Sequence, residues 1–130
     1  MSASAGVDER LSVLQAFIGQ WADETFCTIE NRFGKSIEYR GRSIVGHLRK
    51  EIDELAADPA NMEEIADCMI LLFHLAHQNL YHAKTFDTLF KAITDKMEVN
   101  KKRKWGKPDN DGVIEHVDDE PVMEEPRDQM

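Results

Sequence analysis

A chain of 130 residues that is 42% hydrophobic carries enough apolar content for one compact domain with its own core, which excludes a disordered tail or a stapled mini-protein. Its net charge of −9 excludes broad binding to duplex nucleic acid, because that requires positive surface to displace counterions. Two cysteines, Cys27 and Cys68, stand far apart and outside any Cys-x-x-Cys pair, so neither a disulfide framework nor a thiolate zinc site is supported.

The first seven residues are small but have no basic flank and no apolar run, so no secretory signal is read there and a cytoplasmic protein is expected. Leu11, Leu14, Phe17, Ile18 and Trp21 then recur at helical spacing behind a candidate cap at Asp8, which predicts a first helix over about 8–25. From Thr25 to Arg42 the periodicity decays, with Gly34 and Gly41 as breakers, and the segment reads as an irregular connection. Ile44, Leu48, Ile52 and Leu55 share one face of a second helix expected over about 43–57. Pro59 cannot continue it, and the residue before a proline is steered away from helical dihedrals.

Asn61 is a favoured N-cap, and Glu64 three residues later completes a capping-box pattern, so a third helix is expected from Asn61 to about Leu80. Between Ile65 and Ala76 nearly every residue is apolar, which predicts a helix covered on most sides, as at the centre of a bundle or a subunit interface. The stretch is roughly half of what crosses a bilayer and is interrupted by Asp67 and His74, so no membrane span is read. Cys68 within it is expected as a buried free thiol, and His74, His77 and His82 as core-edge or surface histidines. A fourth helix, over about 85–104, is expected to turn Phe86, Leu89, Phe90, Ile93 and Met97 inward.

Four helices without a convincing strand predict an all-α fold, a four-helix bundle. The third helix has more apolar surface than one layer covers, so a homo-oligomer is expected. Around the end of the fourth helix Lys96, Lys101, Lys102, Arg103, Lys104 and Lys107 form a basic patch suited to a small polyanion. Past Trp105 the composition shifts to glycine, proline and acids, and residues 106–130 carry −7 of the net charge. This end is expected to be extended, with 1–117 as the helical domain and 118–130 as a disordered acidic tail.

The informative feature is a pair of acidic steps, Glu51-x-x-Glu54 and Glu64-x-x-Asp67, one on each side of Pro59. Residues three apart project from nearly the same side of a helix. Both 54 with 64 and 51 with 67 are equidistant from position 59, so an antiparallel hairpin brings the four carboxylates into one small volume. Four such charges repel, and Asp67, set in the most apolar stretch, would be expensive to bury without a partner. Oxygen-only ligands suit hard cations, and no Glu-x-x-His of the di-iron bundles is present, so Mg²⁺ or Mn²⁺ is the expected occupant. Taken singly, Glu51 and Glu54 read as solvated helix surface and Glu64 as the capping partner of Asn61; the mirror spacing is what favours a site. On the fourth helix Lys96, Asn100 and Arg103 make a polar stripe able to hold phosphates, although basic residues there also complement the helix dipole.

These residues resemble the MazG-like all-α NTP pyrophosphohydrolases, whose acidic motifs occur here as His47-Leu48-Arg49-Lys50-Glu51-Ile52-Asp53-Glu54-Leu55 and Glu63-Glu64-Ile65-Ala66-Asp67. The stretch from Lys96 through Trp105-Gly106-Lys107-Pro108-Asp109 to Val117 is similar to a narrower group, the dATP/dGTP diphosphohydrolases of phages and bacteria, including the MazZ-type enzymes. The resemblance covers roughly 11–117. It implies an oligomeric bundle, dimer or tetramer, that hydrolyses a purine deoxynucleoside triphosphate, dGTP before dATP, to the monophosphate and pyrophosphate. It implies Glu51, Glu54, Glu64 and Asp67 as metal ligands and Lys96, Asn100, Arg103 and Lys104 near the nucleotide; Glu51 or Glu54, which border the apolar face rather than sitting within it, is the expected catalytic base. Where the family has a glycine-containing turn after the first helix, this chain has Thr25-Phe26-Cys27, and Trp21 and Phe26 stand there as candidates for the base pocket. Two alternatives remain open at this point: a pyrimidine-specific dUTPase or dCTPase of the same fold, and a non-catalytic helical interaction protein.

Overall fold

The computed structural model describes residues 3–26, 37–80 and 89–117. The expectations for Gly34, Cys27, His82, Phe86 and the acidic tail lie outside them. Among the described residues there are four helices, α1 (Ala3–Phe26), α2 (Ile37–Ala57), α3 (Met62–Leu80) and α4 (Leu89–Lys102), followed by two short strands, β1 (Lys104–Trp105) and β2 (His116–Val117). The chain falls into two compact units, Met1–Phe90 and Lys91–Met130. No helix among the described residues is long and apolar enough to cross a membrane.

In the first unit α2 and α3 form an antiparallel hairpin. Its turn is closed by backbone bonds from Asp58 N to Leu55 O and from Asn61 N to Asp58 O, each 3.0 Å. Asn61 caps α3 as its sequence position predicts: its Oδ1 accepts from the backbone N–H of Glu63 at 2.9 Å and of Glu64 at 3.4 Å, satisfying donors that a helix start leaves open. The reciprocal half of the capping box is absent, because the Asn61 N–H is already committed to Asp58 O. The Glu64 side chain is therefore free for another role. Helix α2 starts at Ile37, earlier than the periodicity indicates, and runs through Gly41, where a Cβ would meet only the Gln78 side-chain nitrogen at 3.4 Å and Leu75 Cδ1 at 3.8 Å.

Helix α1 packs on the later part of α3. The contact is made by small residues: Ala22 is fully buried, Ile18 nearly so, and a Cβ on Gly19 would fall on the His77 ring, 2.6 Å from Cε1. Gln15 Nε2 donates to Phe73 O at 3.0 Å, and His77 Nε2 lies 3.1 Å from Asp23 Oδ2. The buried line of α1 keeps Ile18 of the expected stripe and is turned from the rest of it. Val13 is 67% exposed and Phe17 71%, with Leu14 and Trp21 also exposed. A small-residue strip allows closer approach to α3 than the bulky stripe would, and the bulky stripe faces outward. On α2, Ile44 is buried but Ile52 is exposed. The expectation that α3 is covered on most sides is not met within one chain, since Met62 is 72% exposed and Met69 and Leu72 are exposed beside it. Cys68, Leu71 and Phe73 complete the core of this unit.

His74 is half-buried and stacks on Phe26, with ring centroids 5.2 Å apart at 18°. Burial lowers its pKa from 6.5, with His77, Arg40 and His47 adding to the effect and Asp23 opposing it.

The second unit contains α4 from Lys91 onward and a hairpin. Helix α4 has no buried residue, and Ile93 and Met97 are exposed rather than inward. The stretch expected to be extended is ordered by backbone bonding. Strands β1 and β2 pair antiparallel, Lys104 with Val117 and Trp105 with His116, and Gly106 N donates to Glu115 O at 2.9 Å. Asp109 Oδ1 accepts from Asp111 N at 2.8 Å and Val113 N at 2.9 Å, an aspartate-based turn that Gly112 completes at φ 83°.

Two outcomes follow from this packing. Gly19→Ala should lower the melting temperature although alanine favours a helix by about 1 kcal/mol, because overpacking costs about 1–3 kcal/mol. In a His77→Ala background the same change should become neutral or stabilising, and equal effects in the two backgrounds in a double-mutant cycle would contradict the contact. For His74 the sign is set by a folded-state pKa below the unfolded one. Above pH 6.5 both states are neutral there and stability is full; as pH falls through 6.5 the unfolded state takes up the proton first and stability declines. His74→Phe should therefore lose less melting temperature between about pH 8 and 5.5 than wild type; equal losses would count against it.

Candidate functional site

The α2–α3 hairpin brings three of the four predicted acids together. Glu51 and Glu54 come from the last turns of α2 and Glu64 from the first turn of α3, and one carboxylate oxygen of each lies within 4.8 Å of the others. Glu51 and Glu64 are half-buried and Glu54 is exposed. Partial burial pushes the Glu64 carboxyl above its ordinary value, and the charges of Glu54, Asp67, Glu51 and Asp58 push it further. The Cys68 thiol, buried behind the group, is pushed up by burial and then by Glu51, Asp67, Glu64 and Glu54, which keeps it protonated and inert.

Asp67 stands apart from the three. It is exposed, contrary to the expectation from its apolar neighbours, because the contacts that α1 makes with α3 fall further along, at Phe73 and His77. Its charge still bears on both Glu64 and Cys68, so it borders the cluster.

Sequence reasoning assigns no role to His47, yet its Nε2 lies 3.4 Å from Glu51 Oε2. The signal was the i,i+4 spacing, which stacks the two side chains on one helix face.

The donor set fits a hard divalent cation. All three close groups are carboxylates, oxygen donors suited to Mg²⁺ or Mn²⁺, and like charges at this separation call for a counter-charge. No arginine or lysine forms an ion pair with Glu51, Glu54 or Glu64 among the described residues.

In the second unit the predicted polar stripe is partly assembled. Arg103 Nη1 donates to Asn100 Oδ1 at 3.4 Å, and Trp105 Nε1 donates to Asn100 O at 3.1 Å, while Lys96 and Lys104 are exposed. Trp105 packs edge-on to His116, centroids 6.0 Å apart. The basic side chains are therefore carried on a helix end that the tryptophan ties to the hairpin. In the first unit Trp21 meets Phe26 edge-on at 5.3 Å, and Phe26 in turn stacks on His74, giving a short aromatic row at the end of α1.

The sequence profile of the dATP/dGTP pyrophosphohydrolases matches residues 17–123. Among solved structures, the chain is similar to a MazG-like pyrophosphohydrolase of cyanophage S-2L, determined bound to dGDP and three catalytic Mn²⁺ ions per active site. The two are 27% identical, with a TM-score of 0.58 over 82% of this chain and 96% of that one. No curated protein matches the chain significantly. A profile match that spans the acidic hairpin, the polar stripe and the tryptophan hairpin together, on a fold shared with a nucleotide-bound relative, leaves one assignment: the chain belongs to the dATP/dGTP pyrophosphohydrolase family and is a nucleotide pyrophosphohydrolase.

Proposed function

We propose that the chain hydrolyses a purine deoxynucleoside triphosphate, dGTP before dATP, to the monophosphate and pyrophosphate, with Mg²⁺ or Mn²⁺ held by Glu51, Glu54, Glu64 and Asp67. The observation that carries this reading is the convergence of Glu51, Glu54 and Glu64 within 4.8 Å. The cyanophage relative supports it, having been determined with dGDP and catalytic Mn²⁺. The family's purine substrates weigh against the pyrimidine alternative.

Bound divalent cations supply charge neutralisation and an acidified water in phosphoanhydride hydrolysis. The chain's own residues do the rest. Glu51 or Glu54 takes the proton of the attacking water, and the α–β phosphoanhydride bond breaks as pyrophosphate leaves. Glu64, whose carboxyl is raised by burial and then by the charges of its neighbours, would be favoured in its charged form by a counter-charge. Lys96, Arg103 and Lys104 in the second unit are the candidates for phosphate binding, Lys as a point charge and Arg as a fork, with Asn100 Oδ1 accepting from Arg103 Nη1. Trp21 serves the base.

The working form is a homo-oligomer, dimer or tetramer. The support is the bulky apolar side chains Val13, Leu14 and Phe17 on α1 and Met62, Met69 and Leu72 on α3, all exposed in one chain; large exposed apolar patches commonly mark protein–protein contacts.

Three measurements test these statements. Pyrophosphate release should be fastest with dGTP, then dATP, and should require Mg²⁺ or Mn²⁺; faster release from dUTP or dCTP would overturn the purine reading. Glu51→Gln and Glu54→Gln should each lower turnover by about a hundredfold, while Mn²⁺ raises the melting temperature of wild type more than of either variant. Full activity in both variants with no differential stabilisation would remove the metal site. Sedimentation at micromolar concentration should find more than one chain per particle, and a Phe17→Asp variant should dissociate; a monomeric wild type would refute the oligomer.

A further inference from the structure

Trp105 is a large aromatic residue that is not spent on a core. It is 49% exposed, and His116 meets its ring only edge-on, with centroids 6.0 Å apart. What the ring does make is a directed bond. Nε1 donates to Asn100 O at 3.1 Å, and that carbonyl belongs to the last turn of α4, where a helix leaves its C=O groups without intrahelical partners. The same oxygen accepts from Arg103 N at 3.3 Å, so both of its lone pairs are used. The chain beyond the ring is held as well. Trp105 pairs with His116 across the hairpin, Gly106 N donates to Glu115 O at 2.9 Å, and a Cβ at Gly106 would press on Val117 Cγ2 at 3.3 Å.

We propose that Trp105 is a positioning residue for Arg103: its indole N–H pins the turn from Asn100 to Trp105 and so fixes where the Arg103 guanidinium is presented to phosphate. The proposal rests on the reading above that Arg103 binds phosphate. Arg103 is the first residue beyond α4, where the regular ladder of backbone bonds stops and helices fray. Its long side chain has much rotamer freedom, and ordering that freedom opposes binding. A guanidinium engages phosphate as a fork only when its plane arrives in the right orientation, so slack in the backbone at residue 103 passes directly into the contact. Arg103 is half-buried and its Nη1 lies 3.4 Å from Asn100 Oδ1, which folds the side chain back over the turn that Trp105 clamps. A phenyl ring at position 105 would still meet His116; what it lacks is the donor.

The test uses the full-length chain as wild type, Trp105→Phe, Trp105→Ala, Arg103→Ala and the double variant Trp105→Phe with Arg103→Ala. The constants kcat and KM for dGTP are read from pyrophosphate release at saturating Mn²⁺. KM does not depend on how much of a preparation is folded, so a loss of stability does not imitate the effect. Trp105→Phe is expected to raise KM roughly fivefold, the cost of ordering one long side chain on binding, with kcat within about twofold of wild type. Trp105→Ala should raise KM at least as much, since both variants lack the donor. Arg103→Ala should raise KM by about tenfold or more, and adding Trp105→Phe to it should change KM no further, because the side chain being positioned is gone. A wild-type KM in Trp105→Phe, or a double variant in which the two effects multiply, overturns the positioning role while Arg103 keeps its place at the phosphates. An unchanged KM in Arg103→Ala overturns the phosphate reading and the proposal with it.

Discussion

Three carboxylates whose oxygens lie within 4.8 Å of one another repel, and the fold has to hold them there before any ion arrives. The restraint is the turn between α2 and α3. Asp58 and Asn61 close it through backbone bonds, and the Asn61 side chain caps the incoming helix. Below the turn, Ile44, Cys68 and Leu71 are buried between the helices, so hydrophobic burial opposes the repulsion above it. Partial burial, and then the charges of Glu54, Asp67, Glu51 and Asp58, raise the Glu64 carboxyl. A bound cation would oppose that repulsion and stabilise the hairpin that holds it.

The rest of the first unit follows from how α1 meets this hairpin. Gly19 and Ala22 let it approach closely, and His77 fills the space a larger residue would take. The consequence is paid on the opposite face, where the large apolar side chains of α1 are left in water.

Much of this architecture was legible in the sequence, and the reasons are specific. Asn61 as a cap, Pro59 as a stop and the mirror placement of 54 and 64 are local signals, each with a short-range mechanism, and the structure bears them out. What the sequence concealed depended on tertiary contact. On α1 the expected stripe holds at Ile18, which is buried, and fails at Leu14, Phe17 and Trp21, which are exposed, because the strip of Gly19 and Ala22 makes the closer packing on α3. Asp67 was expected to be buried because its neighbours are apolar, but exposure is decided by what α1 reaches, which is Phe73 and His77. The hairpin that begins at Lys104 is hidden in a polar composition, since its order comes from strand pairing and from Asp109 Oδ1 accepting the N–H groups of Asp111 and Val113, not from hydrophobic pattern. His47 was in plain view, one turn from Glu51, and lacked only a reason to be noticed.

The acids of the close-set group all lie between Glu51 and Glu64, in one hairpin with a tight turn. Closing it requires no contact between distant parts of the chain, and local contacts form on the fastest timescales of folding. A centre built this way is complete within one local supersecondary unit, so the loop that must close to bring its acids together is short and its entropy cost small.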